Sequence, residues 1–493
     1  MSEKLPGNLH FVGIGGIGMS GLAQMARALG CEVSGSDRAL KAPENAEIFH
    51  ALSAQGITLY PQDGSRFTGD FPPAESLVYS TAIEEDNPDF KAAPGCRRLH
   101  RSEALSLCVS ALHCKCTIAI TGTCGKTSVS AALAEALYHL GEDPGVLAGG
   151  LVNAFRTPVL AGNFRKGNNR YFVLEADESD KSLLNYTSDA AIVLNIGTDH
   201  YSKEELAQVF GKFLSQVRSA AVVELEGMQR IREHFGALPE TLQILLFSGE
   251  EDAPEEWEGH KVSRITEYRS GPEGTFCRFS GSSRMIRLPG PGKYQALNAL
   301  AIYVFLLQQG FQEEKILAAL ESFHGTWRRF DPAGICSGVR FFDDYAHNVE
   351  KIISCLEAAH ELTRGKVIAL FQPHGYGPLG FMRHELFHAL EEHLGEKDLF
   401  GMLPVYYAGG STSFKPESKE VIFSYQAEGT KNYRTFSDRQ EAEEVIRNEM
   451  EEGDIVLIMG ARDNSLSSWA KTLPESLRKR GKDKQETERE NAV

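Results

Sequence analysis

The apolar positions of this chain change period again and again. Residues 9–12 are a strand-like apolar run, after which Met19, Leu22, Met25 and Leu29 recur three and four apart, the spacing of one buried helix face. Gly30 supplies a helix stop and residues 31–34 resume as a strand, so the opening predicts a βαβ unit and therefore a parallel sheet. The alternation runs to about residue 104. A second α/β region starts at residues 116–120 and continues to about 325, with 249–284, rich in Glu, Gly, Ser and Arg, reading as turns and short antiparallel strands. After Arg329 come strand patterns at 341–342, 367–371, 405–407 and 455–459, with helices predicted over 350–362 and 439–452. Beyond about Leu477 the chain is Lys-, Arg- and Glu-rich with almost no apolar residues, the pattern of a solvated tail.

With 493 residues the chain is long enough for about three domains. The pattern divides it into residues 1–108, 109–326, 327–477 and a charged tail at 478–493. The fold class is α/β, with a Rossmann-like N-terminal domain, a central P-loop ATPase-like domain built on a mixed sheet, and a Rossmann-like C-terminal domain. Acidic residues outnumber basic ones by 67 to 51, and a net charge of -16 argues against nucleic acid as the main partner. Any bound phosphate must be held locally, by backbone N–H groups, single lysines and metal ions. The nine cysteines show no zinc-type or redox spacing, as suits a reducing compartment. No apolar run approaches the roughly 20 residues of a membrane span, and the N-terminus lacks the apolar stretch of a signal peptide. The expectation is a cytoplasmic protein with no membrane partner.

Gly13-Ile14-Gly15-Gly16-Ile17-Gly18 follows the first strand and opens the first helix, and Asp37 ends the second strand. Glycines there let the backbone approach a diphosphate, while the helix N-terminus supplies unpaired N–H groups. By itself the motif fits NAD(P) as well as another nucleotide. Thr121-Gly122-Thr123-Cys124-Gly125-Lys126-Thr127 lies between an apolar strand and an amphipathic helix. It is a shortened P-loop, with Ile120 where the long form has glycine; its backbone would face ATP phosphates, Lys126 would offset their charge, and the Thr127 hydroxyl could ligate Mg²⁺. Two more apolar runs end in Glu175 and just before His200. If both lie parallel to the strand before Lys126, then Glu175, His200 and Thr127 emerge at one sheet edge and make a Mg²⁺ environment.

These motifs, in this order, resemble the Mur ligase family. The resemblance spans nearly the whole chain. It takes in the opening glycines with residues 34–37, Tyr79-Ser80-Thr81-Ala82-Ile83, the short P-loop, residues 175–180, Asp199-His200 and Asn298. Trp327-Arg328-Arg329-Phe330-Asp331, Asp343-Asp344-Tyr345-Ala346-His347 and Phe371-Gln372-Pro373-His374 continue it. The resemblance implies a two-step amide ligase of cell-wall precursor synthesis. ATP phosphorylates the carboxylate of UDP-N-acetylmuramate, and the amine of an amino acid, L-alanine in the members it is most similar to, displaces phosphate. It further implies that Gly13, Gly15, Gly16, Gly18, Ser36, Asp37, Ser80 and Thr81 hold the UDP-sugar rather than NAD. Gly122, Thr123, Gly125, Lys126, Thr127, Asn298, Arg329 and Asp344 would hold ATP. Thr127, Glu175 and His200 would hold Mg²⁺, and Lys126, Glu175, His200, Arg329 and Asp344 would form the catalytic set. Arg329 is taken over Arg328, and Asp344 over Asp343.

Departures from the family pattern fall in the P-loop, near the adenine and in the third domain. Cys124 stands where the family usually has His, Tyr294-Gln295 replaces a His-Asn pair, and Asn348-Val349 replaces His-Pro. Residues 375–380 contain none of the arginines of alanine-adding members. A carboxylate entering a closed site needs a cation, so Arg383 becomes the expected acceptor-binding residue, with His347 and His374 as weaker contacts. Three other readings stay open. They are a Mur-type ligase adding another amino acid or a peptide, a nucleotide-binding protein of weak catalytic power, and a nicotinamide-dependent oxidoreductase.

Overall fold

A computed structural model describes residues 4–68, 74–178, 181–197, 201–407, 415–426 and 431–490, with side chains described as far as 479. Three sheets carry the chain, each in an α/β arrangement. The first has five parallel strands, in spatial order Thr58–Pro61, Glu32–Asp37, Asn8–Val12, Ser76–Tyr79, Arg97–His100. Leu9 and Phe11 bury one edge of the βαβ unit against Met19, Leu22 and Met25 of the helix Ile17–Ala28, as the periodicity predicts. The chain order reverses beside Asn8–Val12, so the loops after that strand and after Ser76–Tyr79 flank a crevice at the carboxyl edge.

The central sheet has eleven strands and is mixed, as expected. Its middle strand, Cys116–Thr121, lies parallel between Tyr171–Glu175 and Ala190–Val193. The helix Lys126–His139 follows, with Val129, Leu133 and Leu137 fully buried. Residues 249–284 do form strands, but His260–Gly271 is a single strand of 12 residues rather than a short one. Val262 and Ile265, three apart and so on opposite faces, are each buried in one of the two cores that flank the sheet.

By compactness the three sheets fall into two units. The first two sheets share one unit (residues 1–268, 276–289 and 294–327); the third sheet, with 269–275 and 290–293, forms the other. The first unit is joined by a buried polar network. Asn163, in the central region, donates to Ile17 O at 2.7 Å and to Ser20 Oγ at 2.8 Å, and accepts from Gln24 Nε2 at 2.9 Å. Gly21 of the same helix sits so close to the central sheet that a Cβ there would lie 2.8 Å from Leu147 Cδ1. The helix Arg101–Ala111 runs across residue 108, carrying the first segment a few residues beyond its expected limit.

The third sheet has six strands, in order Asp331–Cys336, Val339–Asp344, Ile455–Gly460, Val367–Gln372, Leu399–Met402, Tyr433–Thr435, with only the first antiparallel to its neighbour. The strand expected at 405–407 is instead Leu399–Met402, whose Leu399, Phe400 and Met402 are buried. Pro404 has no N–H to continue a ladder, and Tyr407 is 46% exposed. The charged tail expected from 478 takes helical backbone as far as 490, in the helix Asn464–Glu490. Leu466, Ala470, Leu473 and Leu477, three and four apart, bury its first half. No helix among the described residues is long and apolar enough to cross a membrane.

His10, in the first strand, is wholly buried, with Nδ1 2.9 Å from Ser34 Oγ and its ring edge-on to Phe67. Burial, reinforced by the Arg66 charge, pushes its pKa down to about 3. The folded state therefore keeps His10 neutral while the unfolded chain takes up a proton below its ordinary value of 6.5. Stability contributed in this way is complete above that pH and falls by about 1.4 kcal/mol per pH unit below it. Scanning calorimetry from pH 7 to 5 should show a falling midpoint for the first unit and a shallower fall for His10→Gln; equal slopes would remove His10 as the cause.

Candidate active site

The loop 121–125 leaves the middle strand of the central sheet and enters a helix whose first N–H groups have no i−4 partners. Gly125, the helix N-cap, has φ 88°, and a Cβ there would sit 2.9 Å from Asn298 Oδ1. Only glycine meets both demands. Asn195, just past the neighbouring strand, clamps the loop: its Oδ1 accepts from Cys124 N at 2.9 Å and its Nδ2 donates to Cys124 O at 3.0 Å. Gly197 N donates to Thr123 Oγ1 at 2.8 Å, so Thr123 braces the loop with its side chain. A backbone-directed asparagine after an apolar strand was a readable signal, though Asn195 is absent from the expected site.

Lys126 Nζ donates to Gly122 O at 2.7 Å and to Glu178 Oε1 at 2.9 Å, and forms an ion pair with the same carboxylate. Burial works to lower the lysine pKa, but Glu178, with Asp177 and Glu175, outweighs it and holds the amine above its usual range, so it stays cationic. Burial raises the Glu178 carboxyl, with Lys126 opposing. Thr127 Oγ1 donates to Glu175 Oε1 at 3.0 Å, and Gly149 N donates to Oε2 at 2.6 Å. Thr127 and Glu175 are thus brought together as expected, presenting hard oxygen donors suited to Mg²⁺. His200 lies outside the described residues, as do Thr198 and Asp199. Asn298 and Gln295 line a small cleft beside Ser128, Leu288 and Phe323, and the buried Asn298 Nδ2 has no hydrogen-bond partner there. An unsatisfied buried amide donor beside a phosphate loop fits a heterocyclic acceptor.

In the first sheet, Gly13 to Gly18 and Ser80-Thr81 occupy the two loops that flank the crevice. Thr81 is exposed and Ser80 half-buried. Asp37 accepts Gly15 N–H on Oδ2 and Ala39 N–H on Oδ1, both at 2.8 Å, which makes it an organiser of the glycine loop. Ser36 departs from expectation: it is fully buried, and its hydroxyl donates to Asp89 rather than facing the crevice. Side chains alternate along a strand, and the register puts Ser36 on the inner face. Arg101, which the sequence reading missed, places Nη1 3.2 Å from a Cβ position on Gly18 and Nη2 3.6 Å from Asp177.

In the second unit, Arg328 and Asp343 are both fully buried. Arg328 donates to Asp343 at 3.2 Å, to Gly460 O at 2.5 Å and to Asp463 O at 3.1 Å. They are core partners. Arg329 and Asp344 are the other pair. Residues Arg328 and Phe330 take φ 56° and 48°, left-handed values that non-glycine residues hold only under tertiary constraint. Phe330 N donates to Asp344 Oδ2 at 2.6 Å, and Ala346 N to Oδ1 at 2.7 Å. Arg329, half-buried between them, lies over Tyr345. Burial raises the Asp344 carboxyl, with Arg329 opposing.

His347 and His374 meet edge-on, 5.3 Å between ring centres. Burial lowers both, His347 well below the usual range and His374 to about 4, so both rings are neutral at pH 7. The Lys351 charge acts on both rings, Arg329 on His347 and Arg462 on His374, in the same direction. Arg383, the expected acceptor cation, donates back to Gly380 O in its own helix, Tyr376–His393. Lys351 and Arg462 were not singled out in the sequence; the first lies one turn after Asn348, the second in a left-handed turn at φ 66°.

Three family models match successive stretches of the chain: the Mur ligase family catalytic domain over residues 8–112, the Mur ligase middle domain over 120–306, and the Mur ligase glutamate ligase domain over 328–462. The UDP-N-acetylmuramate–L-alanine ligase of Chelativorans sp. is 32% identical over 490 residues, covering 96% of this chain and 99% of that protein. The protein of the same name from Mesorhizobium japonicum is 32% identical over 487 residues, with the same coverage. Among solved structures, the UDP-N-acetylmuramate-alanine ligase of Thermotoga maritima superposes with a TM-score of 0.74 at 25% identity, over 97% of this chain and 99% of that one. A murein peptide ligase from Psychrobacter arcticus gives 0.64 at 22%, over 96% and 98%, a likeness of fold. Motifs, sheets and relatives agree along the whole length, and the chain belongs to the Mur ligase family.

Proposed function

We propose that this protein is a cytoplasmic, ATP-dependent ligase that joins the carboxylate of UDP-N-acetylmuramate to the amine of L-alanine in peptidoglycan precursor synthesis. The full-length likeness to ligases of that name carries the reading. A carboxylate is a poor electrophile at neutral pH; transfer of the ATP γ-phosphate to one of its oxygens releases ADP and gives an acyl phosphate, from which the amine expels phosphate. Lys126, cationic at the helix N-terminus, neutralises the γ-phosphate as it moves, and the loop N–H groups orient the chain of phosphates. The residues fit Mg²⁺: Thr127 and Glu175 would hold it, with His200 as the expected further ligand, and when bound it would offset phosphate charge. Glu178 keeps Lys126 charged and aimed at the loop before the nucleotide arrives. Asn298 donates to the adenine ring, and Arg329 and Asp344 keep the nucleotide role that the Mur ligase motif implies for them. Gly13, Gly15, Gly16 and Gly18 with Asp37, Ser80 and Thr81 take the UDP-sugar, and Ser36 supports that loop through its carbonyl, which accepts Gly13 N–H at 2.8 Å and Ile14 N–H at 3.0 Å.

For the acceptor, the neutral His347–His374 pair and the cations around it are the best-placed groups. The α-carboxylate is assigned to Lys351 and Arg462, and a neutral imidazole can take the proton that the attacking ammonium must lose.

The reading is tested by phosphate release from ATP, which should require both UDP-N-acetylmuramate and an amino acid, with L-alanine the best of those tried. Release with no dependence on UDP-N-acetylmuramate would reject it. Lys126→Ala should cut turnover by at least 10³-fold, about 4 kcal/mol of transition-state stabilisation, in a protein whose melting is unchanged.

Acceptor selection gives a separate expectation. Arg462→Ala and Lys351→Ala should each raise the Michaelis constant for the amino acid by about 10-fold or more, with little change in that for ATP. Arg383→Ala should change both by less than about 3-fold. Steady-state kinetics with each substrate varied in turn decide the matter, and a selective amino-acid defect in the Arg383 variant alone would restore the earlier assignment.

A further inference from the structure

Away from the phosphate loop, at the far end of the same helix, Glu135 and His139 lie four residues apart and so on one face. His324, in the segment that follows the helix Glu313–Glu321, completes a cluster whose donor atoms all lie within 4.8 Å of one another. Glu135 is fully buried. Its Oε1 is 2.5 Å from His324 Nδ1 and 3.4 Å from His139 Nε2, and both its oxygens accept His324 N–H at 3.2 Å. A carboxylate taken out of water needs a cation beside it. Among the described residues, those within 4 Å that could supply one are these two histidines.

We infer that Glu135, His139 and His324 form a binding site for a divalent transition cation of the zinc class. Two imidazole nitrogens and one carboxylate oxygen are a donor set such ions favour over Mg²⁺. Tetrahedral coordination with bonds of about 2.1 Å sets donors roughly 3.4 Å apart, and the His139–Glu135 separation of 3.4 Å already matches. The shorter His324 contact is a hydrogen bond that must open. The His324 side chain is 65% exposed, and as the metal takes Nδ1 the ring keeps its single proton on Nε2, exchanged through solvent. The same exposure leaves a fourth position for water. A bound ion would tie the end of the phosphate-loop helix to the segment held by Val152 and Asn153, through the Val152–Thr326 bridge and the Asn153 bond to His324 O. No residue of the site belongs to the proposed ligase machinery.

The test uses the full chain with saturating Mg²⁺ present and Co²⁺ as the probe. One equivalent should bind, with the visible spectrum of a four-coordinate nitrogen and oxygen site, be displaced by Zn²⁺, and raise the thermal midpoint. In His139→Ala/His324→Ala the affinity should drop at least ten-fold; His324→Gln alone, at an exposed position, should do the same should the double variant melt early without metal. Absence of saturable binding, affinity unchanged in both variants, or a thiolate charge-transfer band marking a cysteine site would each overturn the inference.

Discussion

The phosphate-loop site of the central sheet depends on one backbone constraint, the in-register parallel pairing of Cys116–Thr121 with the strands on either side. Ile120 pairs with Glu175 and Thr121 with Val193, so the phosphate loop, Glu175 and Asn195 leave the sheet at one level of one edge. Parallel strands all direct their carboxyl ends the same way, and the N–H groups of the following helix point back into that edge. A one-residue slip in either flanking strand would turn its buried side chains to the opposite face. Val173 and Ile192 are packed in one core and Leu174 and Val193 in the other, so specific packing on both faces holds the pairing.

An acidic protein that handles polyphosphate must separate its own carboxylates from those of its substrates. Here the separation is local. Glu178 is spent on Lys126, Asp37 on the N–H groups of Gly15 and Ala39, Asp344 on those of Phe330 and Ala346, and Asp343 on Arg328. Each carboxylate is tied to a donor that shapes a loop, so negative charge near the proposed sites does structural service. Breaking the Arg328–Asp343 pair from one side would strand a buried charge, a change that typically costs about 3–5 kcal/mol. The strained turn that presents Arg329 rests on that pair.

Much of this was legible in the order of residues, because it depends on local chemistry. Strand, glycine loop and helix follow one another at residues 9–29 and 116–139, and hydrophobic period with turn chemistry suffices to place them. The choice of Arg329 over Arg328 was made from the family motif, and burial now supplies a physical ground for it: Arg328 is wholly inside. The strand at 405–407 was misplaced because Val-Tyr-Tyr has strong β-propensity, while pairing with Val367–Gln372 selected Leu399–Met402.

The sequence by itself determined the three α/β sheets, the phosphate loop with Lys126 and Thr127, and the family to which the chain belongs, since periodicity and short motifs act over a few residues. Tertiary structure alone decided that Glu178 rather than Glu175 pairs with Lys126, that Ser36 turns inward to Asp89, and that Lys351 and Arg462 act on the His347–His374 pair. It alone brought His324 back to Glu135, 189 residues earlier. Which side chains meet across such distances is set by sheet register and packing against a shared core, and no local pattern records either.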